Sequence, residues 1–470
     1  MDRWGWNYAY GIKAAGGTAP YTWSVTTGTP PAGLSLTARG LITGTPSVAG
    51  TTNFTVKVTD ATGKSSTGNL TLAVTAPNTT SEWITDATQR NWAPYEQTIT
   101  KDNLDLFGIE QERASAGDVI DVRGNSLVEC LRVDGQQVVR LSSLGTGAQS
   151  WSRADDECYT QVRLTPSLVL RAGTSGLRAR ARGDGAVAWD TATSHPGHSV
   201  QAFLIAGSNV LVRSGGELIS YRLSDGALQW KVALSGDVAD WAADATRVYL
   251  AEGGKLVARA LAGGAISWSQ AVSVGNIVIL PNRNELLLGS ANGVSWRSTS
   301  TGAQLRGWGD AAWSTMAVSA DDQRAYVSMS SQCYSGRGVG GIFAIRHSDA
   351  QQLWTTRLNE RVWAKPAVTN GMVWGYSSGL IRYGGKSGFV GLDAATGEKL
   401  TQVELPYPGA SRTLASAGHV IAPTAYRTYV LGVGPRQLSL PRPALPSTFT
   451  GRDYSASLKA DGGKAPSHGR

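Results

Sequence analysis

Alternation of apolar and polar residues is the main pattern along this chain, and it predicts short β-strands. Residues 54–60 (Phe-Thr-Val-Lys-Val-Thr-Asp) and 70–75 (Leu-Thr-Leu-Ala-Val-Thr) alternate, so each segment buries one face of a strand. Residues 60–63 (Asp-Ala-Thr-Gly) suit the hairpin turn that would join them. Patterns with helical periodicity are scarce, so the chain is predicted to be all-β.

A short phrase, [Thr/Asp]-Gly-x-x-x-Trp, recurs beyond residue 110. Its copies, the later ones degenerate, begin at residues 146, 184, 225, 263, 301, 349 and 396, which are 38 to 48 residues apart. That period is typical of four-stranded blades of a β-propeller. Residues 410–433 contain strand pairs without the phrase and would complete an eighth blade with residues near 105–120. Seven blades closed by shared strands is the alternative.

The phrase itself has a structural interpretation. Thr or Asp followed by Gly makes a tight turn between the last two strands of a blade, and the Trp on the outer strand fills the gap against the neighbouring blade. We therefore expect a structural role for the tryptophans of the phrase, which are Trp151, Trp189, Trp230, Trp268 and Trp354.

These repeats resemble the quinoprotein-type (PQQ-repeat-like) propeller, and residues 392–399 (Leu-Asp-Ala-Ala-Thr-Gly-Glu-Lys) are the closest copy. The resemblance covers about residues 85–435. Dehydrogenases of this type hold their cofactor with an adjacent Cys-Cys pair, a stacking Trp and calcium-ligating acids. This chain has no Cys-Cys dipeptide, which argues against a PQQ-dependent dehydrogenase. We expect neither a cofactor nor a catalytic residue.

Residues 1–77 form a separate module, followed by a linker at 78–84. The motifs Gly16-Gly17-x-x-Pro20-Tyr21-x-Trp23, Pro31-Ala32-Gly33-Leu34, Ile42-x-Gly44-Thr45-Pro46, Gly50 and 54–60 occur in the order and spacing of a known family. They resemble bacterial Ig-like modules of cadherin-like fold, which occur in surface and extracellular proteins. The resemblance implies a β-sandwich, with Trp23 as a core residue, that acts as a spacer or adhesion unit.

The sequence offers few ligands for calcium or other metals. Cadherin-like relatives bind calcium between modules, but Asp60 is the one acid at a suggestive place, whereas calcium takes six to eight oxygens. The three cysteines lack CxxC spacing, which argues against structural zinc. Cys130 and Cys158 are close enough in sequence to form a disulfide if the chain is exported, and free thiols are the alternative.

Charge and hydropathy limit the compartments and partners. Of the net charge of +8, half falls in residues 436–470, which we interpret as a disordered basic tail; the rest has no Lys/Arg run, so nucleic acid is not an expected partner. No apolar run reaches the roughly 18 residues of a membrane-spanning helix. The first ten residues have no signal-peptide pattern, and the aromatic leader suggests a truncated start. We expect an extracellular or cell-surface location if the true N-terminus carries a signal.

The candidate ligand-binding surface lies where the repeats depart from their period. The sixth and seventh blades are longer, and the extra residues are predicted in loops that share a face with the connections between blades. Aromatic and basic residues there suit a glycan, peptide or anionic ligand, and packing between blades is the alternative for the tryptophans. The candidates are Trp241, Trp313, Tyr334, Arg337, Trp363, Tyr376, Arg382, Tyr383 and Lys386.

The sequence therefore favours a non-catalytic surface or extracellular protein that presents a propeller face to a glycan or protein partner. One alternative is a propeller enzyme of lyase or hydrolase type, for which His195, His198, His347 and His419 are available. Another is a scaffold that resembles the propeller lipoproteins of envelope assembly. The oligomeric state is left open.

Overall fold

The structure, a computed structural model, describes residues 2–3, 8–12, 14, 16–44, 50–75, 87–93, 99, 101, 104, 107–114, 120–155, 157–158, 161–174, 176–192, 200–291, 293–310, 312–331, 340–358, 361–362, 364–378, 388–405, 413–424 and 427–433. The described elements are almost all β-strands, as predicted, and a 3-10 turn lies at Pro281–Arg283.

The N-terminal module consists of two sheets. Its strands are β1 (Asp2–Arg3), β2 (Tyr8–Gly11), β3 (Thr22–Thr27), β4 (Leu34–Leu36), β5 (Leu41–Gly44), β6 (Gly50–Thr59) and β7 (Ser65–Thr75). One sheet has the order β1-β7-β6-β3 and the other β2-β5-β4. The apolar positions of the alternating segments point between the sheets, where Trp23, Leu34, Ile42, Phe54 and Val56 form a buried core. This is the predicted Ig-like sandwich.

Asp60 stabilises the hairpin turn between β6 and β7. Its carboxylate accepts hydrogen bonds from the backbone N–H groups of Thr62 (2.9 Å), Lys64 (3.0 Å) and Thr18 (3.1 Å), and from the Thr62 hydroxyl (2.7 Å). These bonds favour the charged form and, led by that of the Thr62 hydroxyl, lower the pKa of Asp60. Asp60, the one acid at a suggestive place for a calcium ligand in the sequence, therefore has a role in the turn.

The remaining described strands form eight sheets, mostly four-stranded, arranged in chain order as blades. Blade 1 contains β10 (Ile120–Arg123), β11 (Ser126–Val133), β12 (Gln136–Ser143) and β13 (Gln149–Ala154). Blade 2 contains β14 (Val162–Leu164), β15 (Leu168–Ala172), β16 (Gly176–Ala181) and β17 (Val187–Ala192). Blade 3 contains β18 (Ala202–Ala206), β19 (Asn209–Ser214), β20 (Glu217–Arg222) and β21 (Leu228–Ala233). Blade 4 contains β22 (Val238–Ala243), β23 (Arg247–Glu252), β24 (Lys255–Ala260) and β25 (Ile266–Gln270).

Blade 5 contains β26 (Asn276–Leu280), β27 (Glu285–Ser290), β28 (Gly293–Ser298) and β29 (Gln304–Gly309). Blade 6 contains β30 (Trp313–Ala320), β31 (Arg324–Ser331), β32 (Gly340–Arg346) and β33 (Gln352–Leu358). Blade 7 contains β35 (Ala367–Thr369), β36 (Met372–Ser378), β37 (Gly388–Asp393) and β38 (Lys399–Glu404), with β34 (Arg361–Val362) paired to β36 and β8 (Trp92–Ala93) paired to β35. Blade 8 contains β39 (Leu414–Ser416), β40 (His419–Pro423), β41 (Arg427–Gly432) and β9 (Gly108–Ala114).

Blade 8 joins the two ends of the propeller. Its outer strand, β9, precedes blade 1 in sequence and pairs antiparallel with the last strand, β41, with Gln111 opposite Val430. The innermost strands of the first and last blades, β10 and β39, also contact each other. The sequence left open whether the propeller has seven or eight blades. The described part of the chain forms eight.

A short segment before the first blade runs along the inner strands of the propeller. The carbonyl oxygens of Ala87, Thr88, Arg90 and Asn91 accept hydrogen bonds of 2.7–3.0 Å from backbone N–H groups in four successive blades, on Ala243, Ile279, Ala320 and Val368. We call residues 87–93 the inner arc. Each donor lies in the last two residues of an innermost strand, so the inner arc links blades 4 to 7 at one end of these strands.

Cys130, in β11, and Cys158, in the connection to blade 2, form a disulfide whose Cα atoms are 5.7 Å apart. The bond belongs to a buried cluster that includes Trp151. Cys333 lies outside the described residues.

Candidate functional site

The phrase tryptophans connect neighbouring blades through a repeated hydrogen bond. Each indole Nε1–H donates to a backbone carbonyl of the next blade, two residues before that blade's phrase. The pairs are Trp151–Arg182 (2.8 Å), Trp189–Leu223 (3.1 Å), Trp230–Leu261 (2.8 Å), Trp268–Thr299 (3.0 Å) and Trp354–Ala394 (3.0 Å). These side chains are engaged between blades.

The phrase glycine is required by the same contact. Gly185 has φ of +75°, and a Cβ atom there would lie 2.8 Å from the indole ring of Trp151 in the preceding blade. Any larger residue would strain the backbone and displace the indole. The Trp of one phrase and the Gly of the next phrase thus pack against each other and form one contact between neighbouring blades.

Between blades 5 and 6 a different set of residues makes this contact. The phrase of blade 5 ends in Arg306, which forms an ion pair with Glu285 and lies over the ring of Trp296 at 5.2 Å. Trp296, from the third strand, donates its Nε1–H to Nδ1 of His347 at 2.9 Å. His347 lies two residues before the phrase of blade 6, so its imidazole takes the place of the usual carbonyl acceptor.

His347 is held as a neutral imidazole. Its Nδ1 accepts from Trp296, and its Nε2 lies 3.1 Å from the carbonyl oxygen of Asp321, so Nε2 carries the proton. Burial lowers the pKa of His347 to about 4. With both nitrogens occupied inside the protein, this histidine acts in blade packing.

Three of the candidate ligand-binding residues are buried. Trp241 is 5% exposed and Trp313 7%, and Tyr376 is 1% exposed. Trp241 packs in the core between blades 3 and 4, Trp313 lies edge-on to Phe343 at 5.3 Å, and Tyr376 lies 5.6 Å from Phe389. For these three, the structure corrects the expectation of an exposed patch: their rings fill space between blades and strands.

The other six candidates, Tyr334, Arg337, Trp363, Arg382, Tyr383 and Lys386, lie outside the described residues. Five of them occur in the chain segments between the second and third strands of blades 6 and 7, between β31 and β32 and between β36 and β37, and Trp363 occurs between β34 and β35. For them the binding patch stays a prediction.

Two of the four histidines of the enzyme alternative, His347 and His419, lie within the described residues. Within the ranges given above, no group of three or more His, Cys, Asp or Glu side chains could hold a metal ion. His419 pairs with Glu110 at 3.0 Å, and His195 and His198 lie outside the described residues. In the same described part, no helix is long and apolar enough to cross a membrane.

A row of exposed apolar side chains marks the outer strands of blades 2 to 5. Val187, Leu228 and Ile266 occupy the fourth position of the phrase in blades 2, 3 and 4 and are 50%, 56% and 56% exposed. Leu305, one position later in blade 5, is 50% exposed. We call these four residues the apolar edge.

The other blades that carry the phrase have polar residues at its fourth position. These are Gln149, Gln352 and Lys399 in blades 1, 6 and 7, and all three are exposed. The apolar residues are therefore confined to one arc of the propeller, although the same turn geometry is repeated around it. Sequence reasoning missed this surface, although comparing the fourth position of successive phrases would have revealed Val187, Leu228 and Ile266. It would not have revealed Leu305, because the fourth position of blade 5 is Gln304.

Comparison with known proteins agrees with this architecture. A family model described as "Putative Ig domain" matches residues 5–75, and one described as outer membrane protein assembly factor BamB matches residues 111–270, 171–328 and 291–433. No curated protein matches the chain.

Solved structures with a similar fold have low sequence identity. BamB from Moraxella catarrhalis has 15% identity and a TM-score of 0.53, with 69% of this chain and 99% of that chain covered. The computationally designed Ika8 protein has 13% identity and a TM-score of 0.55, and the C-terminal WD40 domain of Sif2 has 9% and 0.51; each comparison covers 69% of this chain and 98% of the other.

These structures show the propeller fold alone, whereas the family model spans more than half of the chain. Through its propeller the chain therefore belongs to the family described as outer membrane protein assembly factor BamB, and an Ig domain precedes that propeller.

Proposed function

We propose that this protein is a non-catalytic scaffold of the bacterial envelope that binds a protein partner through the apolar edge of blades 2 to 5. The observation that carries the proposal is the position of Val187, Leu228 and Ile266, which are half exposed at equivalent sites of three successive blades. Membership of the BamB family supports the envelope-assembly class. The Ig module would then act as a spacer.

The chemistry of the apolar edge favours a protein partner. Isolated exposed apolar residues are common, but their recurrence at equivalent positions of successive blades favours a protein-binding surface over chance exposure. The residues lie on outer strands, whose free edges can also pair with a strand of a partner. A glycan would need exposed aromatic faces, and the described aromatic candidates Trp241, Trp313 and Tyr376 are buried.

Site-specific photo-crosslinking in the native organism tests the proposal. A photoreactive amino acid at Leu228 is expected to form an adduct with a defined envelope protein, identified by mass spectrometry. The same amino acid at Gln352, the equivalent exposed position of blade 6, is the matched control. Changing Val187 and Ile266 to Ser should reduce the Leu228 adduct because it removes the neighbouring apolar contacts.

An adduct of equal yield from both positions, or none from Leu228, would contradict a partner on the apolar edge. Retention of the full adduct in the Val187→Ser/Ile266→Ser variant would also count against it. Circular dichroism and thermal melting of each variant would show that the propeller remains folded.

A further inference from the structure

Three blades share an arginine at one position of the third strand, buried in blades 2 and 4 and half-buried in blade 5. Each lies five residues before the phrase glycine, and its Nη1 donates to the carbonyl of that glycine. The pairs are Arg180–Gly185 (3.0 Å), Arg259–Gly264 (3.2 Å) and Arg297–Gly302 (2.9 Å), in blades 2, 4 and 5. This bond anchors each guanidinium in the same place, beside the preceding blade.

In two of these blades a carboxylate of the chain completes the site. Asp155 accepts from Nε and Nη2 of Arg180 at 3.3 and 3.0 Å. Glu252 accepts from Nε of Arg259 at 3.4 Å and from Nη2 at 3.1 Å, and it also accepts from the Ser235 hydroxyl at 2.8 Å. Asp155 follows the outer strand of blade 1, and Glu252 ends the second strand of blade 4. The carboxylate that contacts the guanidinium thus comes from a different part of the blade structure in each case.

In blade 5 the residue at the position of Glu252 is a serine. Glu252 is the last residue of β23, and its counterpart at the end of β27 is Ser290. Ser235 and its counterpart Ser273 each lie five residues after a phrase tryptophan. Arg297 is the counterpart of Arg259, since each is the fifth residue of its strand.

The guanidinium of Arg297 is left without a carboxylate among the described residues. Its Nη2 donates to the amide oxygen of Gln304 at 3.2 Å, which is a neutral acceptor. Its Nε, the atom that faces a carboxylate in blades 2 and 4, is buried and has no hydrogen-bond partner in the described part of the chain. Burial without a compensating acid lowers the pKa of Arg297.

A cleft lies at this point of the surface. It has a volume of about 450 Å³ and is open on one side, and Arg297, Ser273, Ser290, Ser295, Gln304 and Leu288 are among its lining residues. The lining thus combines one cation with three hydroxyl groups. Arginine and serine are also the donors that hold Glu252 in blade 4, and of the three hydroxyls here that of Ser290 donates to the carbonyl of Gly293 at 3.2 Å.

We propose that this cleft binds a carboxylate group of an external ligand, in the place that Glu252 occupies in blade 4. Arg297 would donate to it through Nη2, beside the neutral amide oxygen of Gln304, and the hydroxyls of Ser273 and Ser295 would supply further bonds, as Ser235 does for Glu252. Arginine suits a carboxylate because its planar donors match the two oxygens. The inference does not depend on the proposed partner at the apolar edge.

The carboxylate has two possible sources, a small organic acid or an acidic side chain of a peptide. Isothermal titration of the full chain with glutarate and with the peptide acetyl-Ala-Glu-Ala-amide distinguishes them, and acetyl-Ala-Ala-Ala-amide is the uncharged control. We expect saturable binding of at least one carboxylate probe and none of the control peptide. Arg297→Gln should weaken this binding at least about tenfold, since it removes a charge-assisted hydrogen bond to the carboxylate.

Ser290→Glu is the second variant. It gives blade 5 the acid of blade 4, so the carboxylate of the chain itself should occupy the cleft and abolish binding of the probe while the propeller stays folded. Arg222→Gln, at an exposed arginine paired with Asp225 on blade 3, removes the same charge elsewhere and should leave binding unchanged. Absence of binding by the natural chain, equal binding of the uncharged peptide, or binding that survives both Arg297→Gln and Ser290→Glu would overturn the proposal.

Discussion

At the scale of single residues, His347 makes the stability of the propeller dependent on pH. Its pKa is about 4 in the folded protein, against 6.5 for an ordinary histidine. Between these values the unfolded chain binds more protons than the folded chain, so the free energy of unfolding falls as the pH is lowered from 6.5 towards 4. One such group contributes up to about 1.4 kcal/mol per pH unit.

Replacing His347 by Gln should remove that contribution. The glutamine amide can still accept from Trp296 and donate to the carbonyl of Asp321, but it does not titrate. Urea unfolding at neutral and at mildly acidic pH is expected to show a smaller loss of stability in the variant than in the natural protein. His468→Gln, in the predicted tail, is the control. An unchanged pH dependence in His347→Gln would show that other groups are responsible.

The contrast between Trp268 and Arg306 shows how far residue-level prediction extends. Trp268 belongs to a clear copy of the phrase, and the expected role between blades corresponds to its bond to Thr299. The copy in blade 5 ends in Arg306, which signals that the contact is made differently. The sequence does not indicate that Trp296 and His347 replace it, because His347 is 51 residues from Trp296.

At the scale of the element, the turn between the last two strands of each blade is the most constrained feature. Gly185 combines a positive φ with the close approach of Trp151, whereas a Cβ atom added at Gly183 in the same turn would have no heavy atom within 4 Å. Gly185→Ala should therefore destabilise the protein by about 1–3 kcal/mol. Gly183→Ala, the matched control, should have little effect.

Thermal and urea unfolding of the two variants would measure this difference. Equal effects of Gly183→Ala and Gly185→Ala would contradict the assigned contact between Gly185 and the indole. The sequence pattern was enough to locate the turn, since Asp-Gly recurs at a fixed distance before Trp. That the glycine of one blade supports the tryptophan of the preceding blade is a fact of three-dimensional packing.

At the scale of the whole molecule, the inner arc connects successive blades that lie far from it in sequence. The Asn91 side-chain amide donates to the carbonyl oxygens of Pro366 (2.7 Å) and Thr413 (3.1 Å), beside the inner strands of blades 7 and 8. Asn91→Asp replaces this donor by a negative acceptor that faces two carbonyl oxygens. We expect a loss of at least about 2 kcal/mol in the free energy of unfolding.

The matched control is Asn370→Asp, because the Asn370 amide donates to Ile99 at 3.2 Å from an exposed position. It should cost clearly less than Asn91→Asp. Hydrogen exchange at the Val368 amide, which donates to Asn91, would show whether the inner arc has loosened. Normal stability and exchange in Asn91→Asp would show that the inner arc does not hold the blades together.

The class of fold could be read from the sequence, because alternation and a repeat of 38 to 48 residues depend on local strand and turn geometry. The same repeat indicated which tryptophans belong to it. The blade number, the burial of Trp241, Trp313 and Tyr376, and the path of the inner arc emerged in the folded chain. The folded chain also showed that Arg297 has no acidic partner among the described residues, whereas Arg259 pairs with Glu252. These features depend on contacts between residues far apart in the chain, and such contacts leave no periodic trace in a single sequence.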